Sequence, residues 1–316
     1  MAETIKKATR VAYGKALVEL GGRYKDMMVL DADLSGSTKT GDFAKVYPER
    51  FFNAGIAEQN MMSIAAGIAA TGKLVFASSF AMFAAGRAYE QVRNSIGYTH
   101  LNVKIGATHA GMSVGEDGAT HQCNEDIALM RTIPGMTIIN PADAVEAYKA
   151  VIAAAEYEGP VYLRLGRLAV PVINDDSYEF KMGKGVMLHD GDDVTVIATG
   201  LMVNEALMAY DMLKAEGISA RIINMHTIKP IDKDIIIESA AKTGAIVTAE
   251  EHSIIGGLGG AVAEVICENY PVPVLRVGTE DTFGISGPAA DVLKYFNLTA
   301  EQIVKKAKAA IKAKKN

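Results

Sequence analysis

Short apolar runs alternate with segments of helical periodicity along the first part of the chain. Residues 57–70 place Met61, Ile64, Ala65 and Ile68 at the spacing i, i+3, i+4, i+7, which puts them on one helix face. Further helices are predicted at 84–96 and 142–157, and strands at 27–34, 73–79, 102–109, 137–140 and 160–166. Such alternation predicts a mostly parallel sheet with helices on both faces.

Residues 171–192 interrupt this pattern, because they are polar, rich in turn formers and poor in helical signal. A second alternating series follows, with strands predicted at 193–200, 218–225, 244–251 and 273–278 and helices at 203–216 and 259–269. We therefore predict an α/β protein of two doubly wound, mostly parallel-sheet domains, residues 1–180 and 181–316.

Composition narrows the class of protein. The net charge of −5 gives no reason to expect nucleic acid, and the Lys-rich C-terminal end is typical of a solvated helix. The apolar region 61–86 is interrupted by Lys73, so we expect no membrane span, and residues 1–10 lack the apolar core of a signal peptide. Two cysteines give neither a disulfide framework nor a metal spacing, which favours a reducing compartment, the cytoplasm.

Polar and ionisable residues follow the predicted strands of the first domain. In an open α/β sheet, ligands bind beyond the carboxyl ends of the strands, so these residues are candidates for a site. They are Asp31, Asp33 and Ser37, then Asn53 to Glu58, then Ser78, Ser79 and Phe80, then His109, and finally Arg164 and Arg167.

Glu58 stands among small and apolar residues, with no cationic partner nearby on its C-terminal side. One interpretation is a carboxylate in the first turn of a helix, where it favours the positive end of the helix dipole. The other is a carboxyl held in an apolar site with a raised pKa, ready to share a proton.

The segment "ATHAGMSVGEDGATHQ" places His109 and His121 on either side of a Gly-rich loop that carries Glu116 and Asp117. Adjacent carboxylates would repel phosphate, and the loop lacks the Lys-Ser/Thr ending of a P-loop. The spacing also fits no standard metal site. A loop that binds the hydroxyl groups of a polar substrate fits better, although a structural role for each histidine stays open.

Two further sets of residues have a structural and a functional interpretation. Phe80 and Phe83 are three residues apart, so they either pack in the core or stack against a flat ring. Arg10, Ser37 and Arg167 are far apart in sequence and individually weak candidates. If they converge, two guanidinium groups and a hydroxyl would bind a phosphate.

The combined motifs resemble transketolase over most of the chain. They are "FFNAGIAEQNMMSIAAGIA", "HAGMSVGEDGATHQ", "RTIPGMTIINPADAVE", "INMHTIKPID", "EEHSIIGGLGGAVAE" and "FGISGPAADVLKYFNLT". The Gly-Asp-Gly motif with which the family binds the diphosphate of thiamine diphosphate through a metal is not found in this sequence. The chain therefore resembles the second subunit of a split transketolase, comprising the pyrimidine-binding and C-terminal domains.

This resemblance implies a cofactor and partners. The cofactor is thiamine diphosphate, with Mg²⁺ or Ca²⁺ bound mainly by a separate N-terminal, diphosphate-binding transketolase subunit. The expected assembly is α2β2, and the expected substrates are sugar phosphates that exchange a two-carbon ketol unit. The sequence leaves open which ketose and aldose react, and whether the pathway is the pentose phosphate pathway or a dedicated sugar-degradation pathway.

The resemblance also implies roles for individual residues. Glu58 matches the family glutamate that hydrogen-bonds N1′ of the cofactor's aminopyrimidine. Phe80 and Phe83 match aromatics around that ring, and Asp33 matches an acid near the cofactor and the subunit interface. Substrate positions, some of them at the phosphate end, are matched by His109, His121, Asp117, Arg10, Ser37 and Arg167. Among these, the resemblance marks both histidines as catalytic alongside Glu58.

One departure keeps a rival open. Transketolases often have Arg-Glu-His around the key glutamate, whereas this chain has Ala57-Glu58-Gln59. That form resembles deoxyxylulose-phosphate synthase and the β subunits of 2-oxo acid dehydrogenases. His109 together with "GEDGATHQ" and "RLGR" favours transketolase. A non-catalytic scaffold subunit is a third possibility, and retention of Glu58, both histidines and the phosphate candidates argues against it.

Overall fold

The computed structural model describes residues 5–314 of the chain. Residues 1–4, part of the segment that lacks a signal-peptide pattern, lie outside it, as do residues 315–316. Within 5–314, no helix is both long enough and apolar enough to cross a membrane. The same residues contain no group of three or more His, Cys, Asp or Glu side chains that could hold a metal ion.

Helices cover both faces of two sheets. Their bounds are α1 (Thr9–Arg23), α2 (Ser35–Thr38), α3 (Thr40–Val46), α4 (Glu58–Ala69), α5 (Tyr89–Gln91), α6 (Asp126–Arg131), α7 (Ala144–Glu156), α8 (Met202–Ala215), α9 (Lys233–Thr243), α10 (Leu258–Asn269), α11 (Ala289–Tyr295) and α12 (Ala300–Ala313). Short 3₁₀ segments lie at Pro48–Arg50 and Met112–Asp117. Helix α5 is flanked by π-helical turns at Met82–Arg87 and Val92–Gly97. The helix predicted at 84–96 is therefore present, but with π-helical turns.

Strands of the first domain pair mainly in parallel. In the described part of the chain they are β1 (Lys6–Ala8), β2 (Met28–Asp31), β3 (Phe51–Asn53), β4 (Val75–Phe80), β5 (Val103–Thr108), β6 (Thr137–Ile139), β7 (Val161–Arg164) and β8 (Ala169–Pro171). The main sheet has the order β6-β7-β5-β4-β2-β3, all parallel, while β1 and β8 form a separate antiparallel pair.

The second half of the chain builds another sheet. Its strands, within residues 5–314, are β9 (Val186–His189), β10 (Val194–Ala198), β11 (Ala220–Asn224), β13 (Ile246–Ser253) and β14 (Val274–Thr279). Their order is β14-β13-β10-β11-β9, with only β9 antiparallel. Two mostly parallel sheets with helical layers confirm the predicted fold class.

The two halves are joined by more than their linker. Strand β12 (Thr227–Lys229) comes from the second half of the chain but pairs antiparallel with β6, at the edge of the first sheet. The linker itself is held by buried Asp143, whose Oδ2 accepts hydrogen bonds from the backbone N–H groups of Ile173 (2.8 Å) and Asn174 (2.7 Å). We keep a boundary at residue 180 as a proposal, with β12 as a return contact.

Helix α4 shows why these segments fold as they do. Its buried side chains, Met61, Met62, Ala65, Ala66 and Ala69, recur at helical spacing and pack into the core beside β4. Strand β4 is buried along its whole length, as expected for a central parallel strand with helices on both faces. Together they fix the position of the first residue of α4, which is Glu58.

Candidate active site

The candidate site lies at the carboxyl edge of the first sheet. Strand β4 ends at Phe80, β5 is followed directly by His109, and β7 is followed three residues later by Arg167. Because β4, β5 and β7 are neighbours in the sheet, these side chains leave it along one edge. Glu58 joins them, since its carboxyl reaches Ser79 near the end of β4.

Glu58 is a buried carboxyl with an unused oxygen. It is 3% exposed, and its Oε1 accepts one long hydrogen bond from Ser79 Oγ, at 3.5 Å. Its Oε2 is buried and has no hydrogen-bond partner. Within residues 5–314, no cation lies at ion-pair distance from it. A buried polar atom without a partner is costly, so this oxygen is suited to a ligand.

Aromatic rings form a cluster at the same edge of the sheet. The Phe80 and Phe83 rings stack with centroids 6.0 Å apart, and the His109 ring stacks on Phe80 at 3.8 Å. The edge of His121 meets Phe83 at 5.3 Å. Phe80 is buried, whereas Phe83 is partly exposed. The structure therefore brings both predicted aromatics and both predicted histidines together, and the Arg87 guanidinium lies over the Phe83 ring at 5.8 Å from its centroid.

His109 is held in an unusual backbone conformation. Its φ of 57° lies in the left-handed region, which costs a residue other than glycine about 1–3 kcal/mol and is common at functional sites. Burial, followed by the charges of Arg10, Arg167, His121 and Lys39, lowers the pKa of His109 to about 3. The ring is therefore neutral at physiological pH, and its Nδ1 lies 3.0 Å from the Thr108 hydroxyl.

Arg10 and Arg167 converge on this edge from distant parts of the sequence. Arg10 donates from Nη1 to the backbone oxygen of Ser37 at 2.8 Å, and its Nε is buried without a partner. Burial and the nearby charge of Arg167 lower the pKa of Arg10. Arg10 lies inside α1, and Ser37 lies in α2, the short helix that follows β2.

The Gly-rich loop is fastened to Arg167. Arg167 Nη1 donates to Val114 O and to Glu116 Oε2, both at 2.6 Å. Neither hydrogen bond uses the Nε and Nη2 atoms on the other edge of the guanidinium. Asp117 is exposed at the end of the same 3₁₀ segment. The guanidinium is thus oriented by the loop that carries the two acids. The adjacent acids Glu116 and Asp117 had identified the loop as a candidate in the sequence, but they did not predict the ion pair with Arg167.

Asp33 lies at the exposed rim. It has a left-handed φ of 64°, and it exchanges two hydrogen bonds with Asn53, at 3.0 Å each. Beneath it, buried Asp31 accepts hydrogen bonds from the hydroxyl groups of Thr38 (2.7 Å) and Thr40 (2.8 Å). These contacts fix the turn that carries Ser37. Buried Asp31 therefore has a structural role at the end of β2.

A cleft of about 830 Å³ opens beside Phe83, between the two domains. From the first domain it is lined by the segments around Phe83, Thr120 and Asn124, and from the second by Ser253 and residues 280–284. Gln122 closes its floor by donating to Met112 O (3.1 Å) and Ile285 O (2.9 Å), which ties the loops of the two domains together.

The second domain also contributes a residue that the sequence patterns missed. Glu251, at the end of β13, accepts a hydrogen bond from the backbone N–H of Ser113 at 2.5 Å, and burial raises its pKa to about 7. It lies so close to Gly111 that a Cβ there would be 2.4 Å from Glu251 Cδ. A pair of acidic residues at the end of a buried strand, "AEEH", was the available signal.

A buried ion pair underlies these contacts. Arg164, in β7, donates from Nε to both Asp126 oxygens at 3.1 and 2.9 Å, and from Nη2 to Glu251 O at 2.9 Å. Tyr162 adds a hydrogen bond to Asp126 at 3.0 Å. Arg164 therefore supports the site from below, whereas Arg167 faces it.

Comparison with protein families identifies both halves of the chain. Residues 5–172 match the model of the transketolase pyrimidine-binding domain, and residues 183–303 match that of the transketolase C-terminal domain. The chain belongs to the transketolase family. The resemblance inferred from the motifs is therefore confirmed, and transketolases depend on thiamine diphosphate.

Individual transketolases agree with this assignment. A Methanocaldococcus jannaschii protein, provisionally named as a transketolase C-terminal section, is 55% identical over 305 residues, covering 96% of each chain. The solved structure of a split-gene transketolase, described as an inactive β4 tetramer, has a TM-score of 0.91 and 57% identity over 97% of this chain and 99% of its own. Transketolase of Rattus norvegicus is 39% identical over 97% of this chain but only 49% of its own length.

These similarities establish the class of protein. The chain is a transketolase-family subunit, and the family transfers ketol groups. It corresponds to about half of a full-length transketolase such as the rat enzyme. Ala57-Glu58-Gln59 had left open the β-type subunits of other thiamine-diphosphate enzymes. The matches to transketolases favour transketolase over these subunits.

Proposed function

We propose that this chain is the catalytic β-type subunit of a split transketolase, which moves a two-carbon ketol unit from a ketose phosphate to an aldose phosphate. One observation carries the proposal. The Oε2 atom of Glu58 is buried and has no hydrogen-bond partner among residues 5–314, at the sheet edge that also carries the aromatic pair Phe80 and Phe83. A scaffold subunit would have no use for such an atom, because removing it would relieve a desolvation cost.

The residues present fit the aminopyrimidine of thiamine diphosphate. A flat heterocycle with ring nitrogens needs an aromatic surface and an in-plane hydrogen-bond partner, and Phe83 and Glu58 supply groups of these two types. When bound, this cofactor supplies a carbon nucleophile that carries the ketol unit between sugars. Phe80, Phe83 and Glu58 would hold its pyrimidine, with Asp33 at the exposed rim.

Glu58 would form the hydrogen bond to a ring nitrogen of the pyrimidine. A carboxyl that is shielded from water and free of a cationic partner can share a proton with a ring nitrogen, whereas an ion pair would keep it ionised. Its position at the first residue of α4 orients the carboxyl, since α4 is anchored by its buried face. The carboxyl itself is buried, and Ser79, at the buried end of β4, contacts it.

The remaining candidates bind the sugar. His109, whose ring is neutral, and His121 can each form a hydrogen bond with a substrate oxygen, and Asp117 can accept one from a hydroxyl of the acceptor. Arg10, Ser37 and Arg167 lie farther along the same edge and would bind the phosphate end. The unbonded Nε of Arg10 and the free Nε and Nη2 edge of Arg167 support this assignment.

We further propose that a separate N-terminal subunit holds the diphosphate and its Mg²⁺ or Ca²⁺, in an α2β2 heterotetramer. This chain covers about half of the rat enzyme, which supports a second polypeptide that supplies the other half. The split-gene relative is inactive as a β4 tetramer, which supports dependence on that partner. Both cysteines are free, which agrees with our proposal of a cytoplasmic protein. The pentose phosphate pathway remains one candidate pathway for this subunit.

Reconstitution tests this proposal. The chain alone should bind thiamine diphosphate weakly and show no ketol transfer, because the diphosphate and metal ligands lie on another polypeptide. Mixing it with a Gly-Asp-Gly-bearing transketolase subunit should produce metal-dependent transfer across a panel of sugar phosphates. Tight, metal-dependent binding of the cofactor by this chain alone would contradict the proposed division of labour. Decarboxylation of pyruvate without ketol transfer would favour the 2-oxo acid dehydrogenase or deoxyxylulose-phosphate synthase alternative.

Arg167→Ala tests the phosphate end. We expect the KM for an aldose phosphate to rise about 10- to 100-fold, because a charge-assisted hydrogen bond contributes about 1.5–3 kcal/mol. The KM for an unphosphorylated ketol donor should rise less, and His121→Ala should show the same asymmetry. Steady-state kinetics of the reconstituted complex measure both values, with exposed Arg93→Ala as a control. Equal effects on both substrates would contradict these roles.

A further inference from the structure

A lysine with an unusual backbone stands next to the proposed phosphate end. Lys39 lies between α2 and α3 with a φ of 72°, in the left-handed region that glycine and asparagine occupy more readily. Its Nζ donates to Gly36 O at 3.0 Å. Since a smaller residue would adopt this backbone at lower cost, the side chain is a candidate for a function.

The position of Lys39 is fixed by α1. A Cβ placed on Gly14 would lie 2.6 Å from Lys39 Cβ, so the absence of a side chain at Gly14 lets the lysine stem pack against the helix. Arg10 precedes Gly14 by four residues and therefore lies on the same helix face, one turn away. The Lys39 Cβ thus packs against α1 one helical turn from Arg10.

Both cations also contact the same turn. Lys39 Nζ donates to Gly36 O, and Arg10 Nη1 donates to Ser37 O at 2.8 Å, so they bind consecutive carbonyl groups. Within residues 5–314, no carboxylate lies at ion-pair distance from Lys39, and nearby Asp42 pairs with Lys45 at 3.6 Å. An ammonium group has three N–H donors, and one of them is used here, which leaves two for an anion.

We propose that Lys39 is an additional cation of the phosphate-binding end, which makes the site select sugars with a dianionic phosphate tail. This inference rests on the proposed function, because it places the sugar phosphate between Arg10, Ser37 and Arg167. The charge distribution supports this proposal, since the positive charges of Lys39, Arg10 and Arg167 each lower the pKa of His109 and therefore lie near the same ring. The transketolase motifs gave no role to this position.

Lys39→Asn tests the inference, because asparagine tolerates the left-handed backbone but lacks the charge. In the reconstituted complex we expect the KM for an aldose phosphate to rise about fivefold to tenfold, and that for the same free aldose less than twofold. Lys39→Arg should restore most of the difference. Exposed Lys45→Asn, on the neighbouring helix, should behave as wild type. Equal changes for both aldoses, or none, would overturn the inference while leaving ketol transfer intact.

A second readout does not depend on turnover. The full chain alone, titrated with inorganic phosphate and followed by ³¹P NMR, should bind it more weakly in Lys39→Asn than in wild type or Lys45→Asn. If the reconstituted wild-type complex shows no ketol transfer, the proposed function fails. The titration then decides separately whether Lys39 belongs to an anion site. Unchanged phosphate binding in Lys39→Asn would overturn that conclusion.

Discussion

Replacing Glu58 by Gln or Ala is expected to lower the turnover of the assembled complex by about 10²- to 10⁴-fold, the usual contribution of a positioned acid or base. Alanine removes the buried Oε2 atom, and glutamine keeps the shape of the side chain but cannot share a proton. The α4 helix and the surface around it should persist, because Glu58 makes only one long hydrogen bond, to Ser79. Ketol transfer by the reconstituted variants measures the effect, and size-exclusion chromatography measures assembly.

Glu49→Gln is the matched control. Glu49 is an exposed carboxylate nine residues earlier in the chain, and among residues 5–314 its ion pair is with its neighbour Arg50. The same chemical change there should leave turnover and assembly at wild-type values. Turnover near the wild-type rate in both Glu58 variants would refute the assigned role, whereas loss of assembly in Glu58→Gln would indicate a structural one.

Asp126→Ala should lower the free energy of unfolding by about 3–5 kcal/mol, the typical cost of leaving one charge of a buried pair without its partner. Arg164 and Asp126 are 3% and 0% exposed, so water cannot replace the lost carboxylate. Burial alone would lower the pKa of Arg164, whereas the charge of Asp126 raises it. The pKa is raised overall, so the guanidinium stays charged. Urea denaturation of the chain measures the loss.

Asp211→Asn provides the comparison, because Asp211 is exposed on α8. We expect it to stay within about 0.5 kcal/mol of wild type, as most surface substitutions do. If Asp126→Ala were as mild, the Arg164–Asp126 pair would not be the buried support that its geometry indicates. Because Arg164 also donates to Glu251 O, Asp126→Ala should in addition weaken the contact between the two domains.

The fold was largely predictable because its signals are local. Central strands such as 73–79 and 160–166 contain short apolar runs, residues 74–77 and 161–163, and helices such as 57–70 have a clear apolar face. The return of β12 to the first sheet was not predictable, since three residues that pair with a distant edge carry no periodic pattern. The π-helical turns around α5 depend on packing and left no signal in composition either.

The candidate site was predictable in its members but not in its contacts. Strand ends identified Glu58, His109 and Arg167, because the edge of a parallel sheet is set by topology. The ion pair of Arg167 with Glu116 and the reach of Glu251 into the loop depend on how two loops fold back, which spacing does not encode. Lys39 was missed because its importance lies in a backbone angle and in its contact with Gly14.

The most direct test is an experimental structure of this chain assembled with its diphosphate-binding partner and thiamine diphosphate. Our account predicts that a carboxyl oxygen of Glu58 lies about 2.7–3.2 Å from a ring nitrogen of the pyrimidine, with the diphosphate bound by the partner chain. A pyrimidine beyond contact distance of Glu58, or a diphosphate held by this chain, would contradict it.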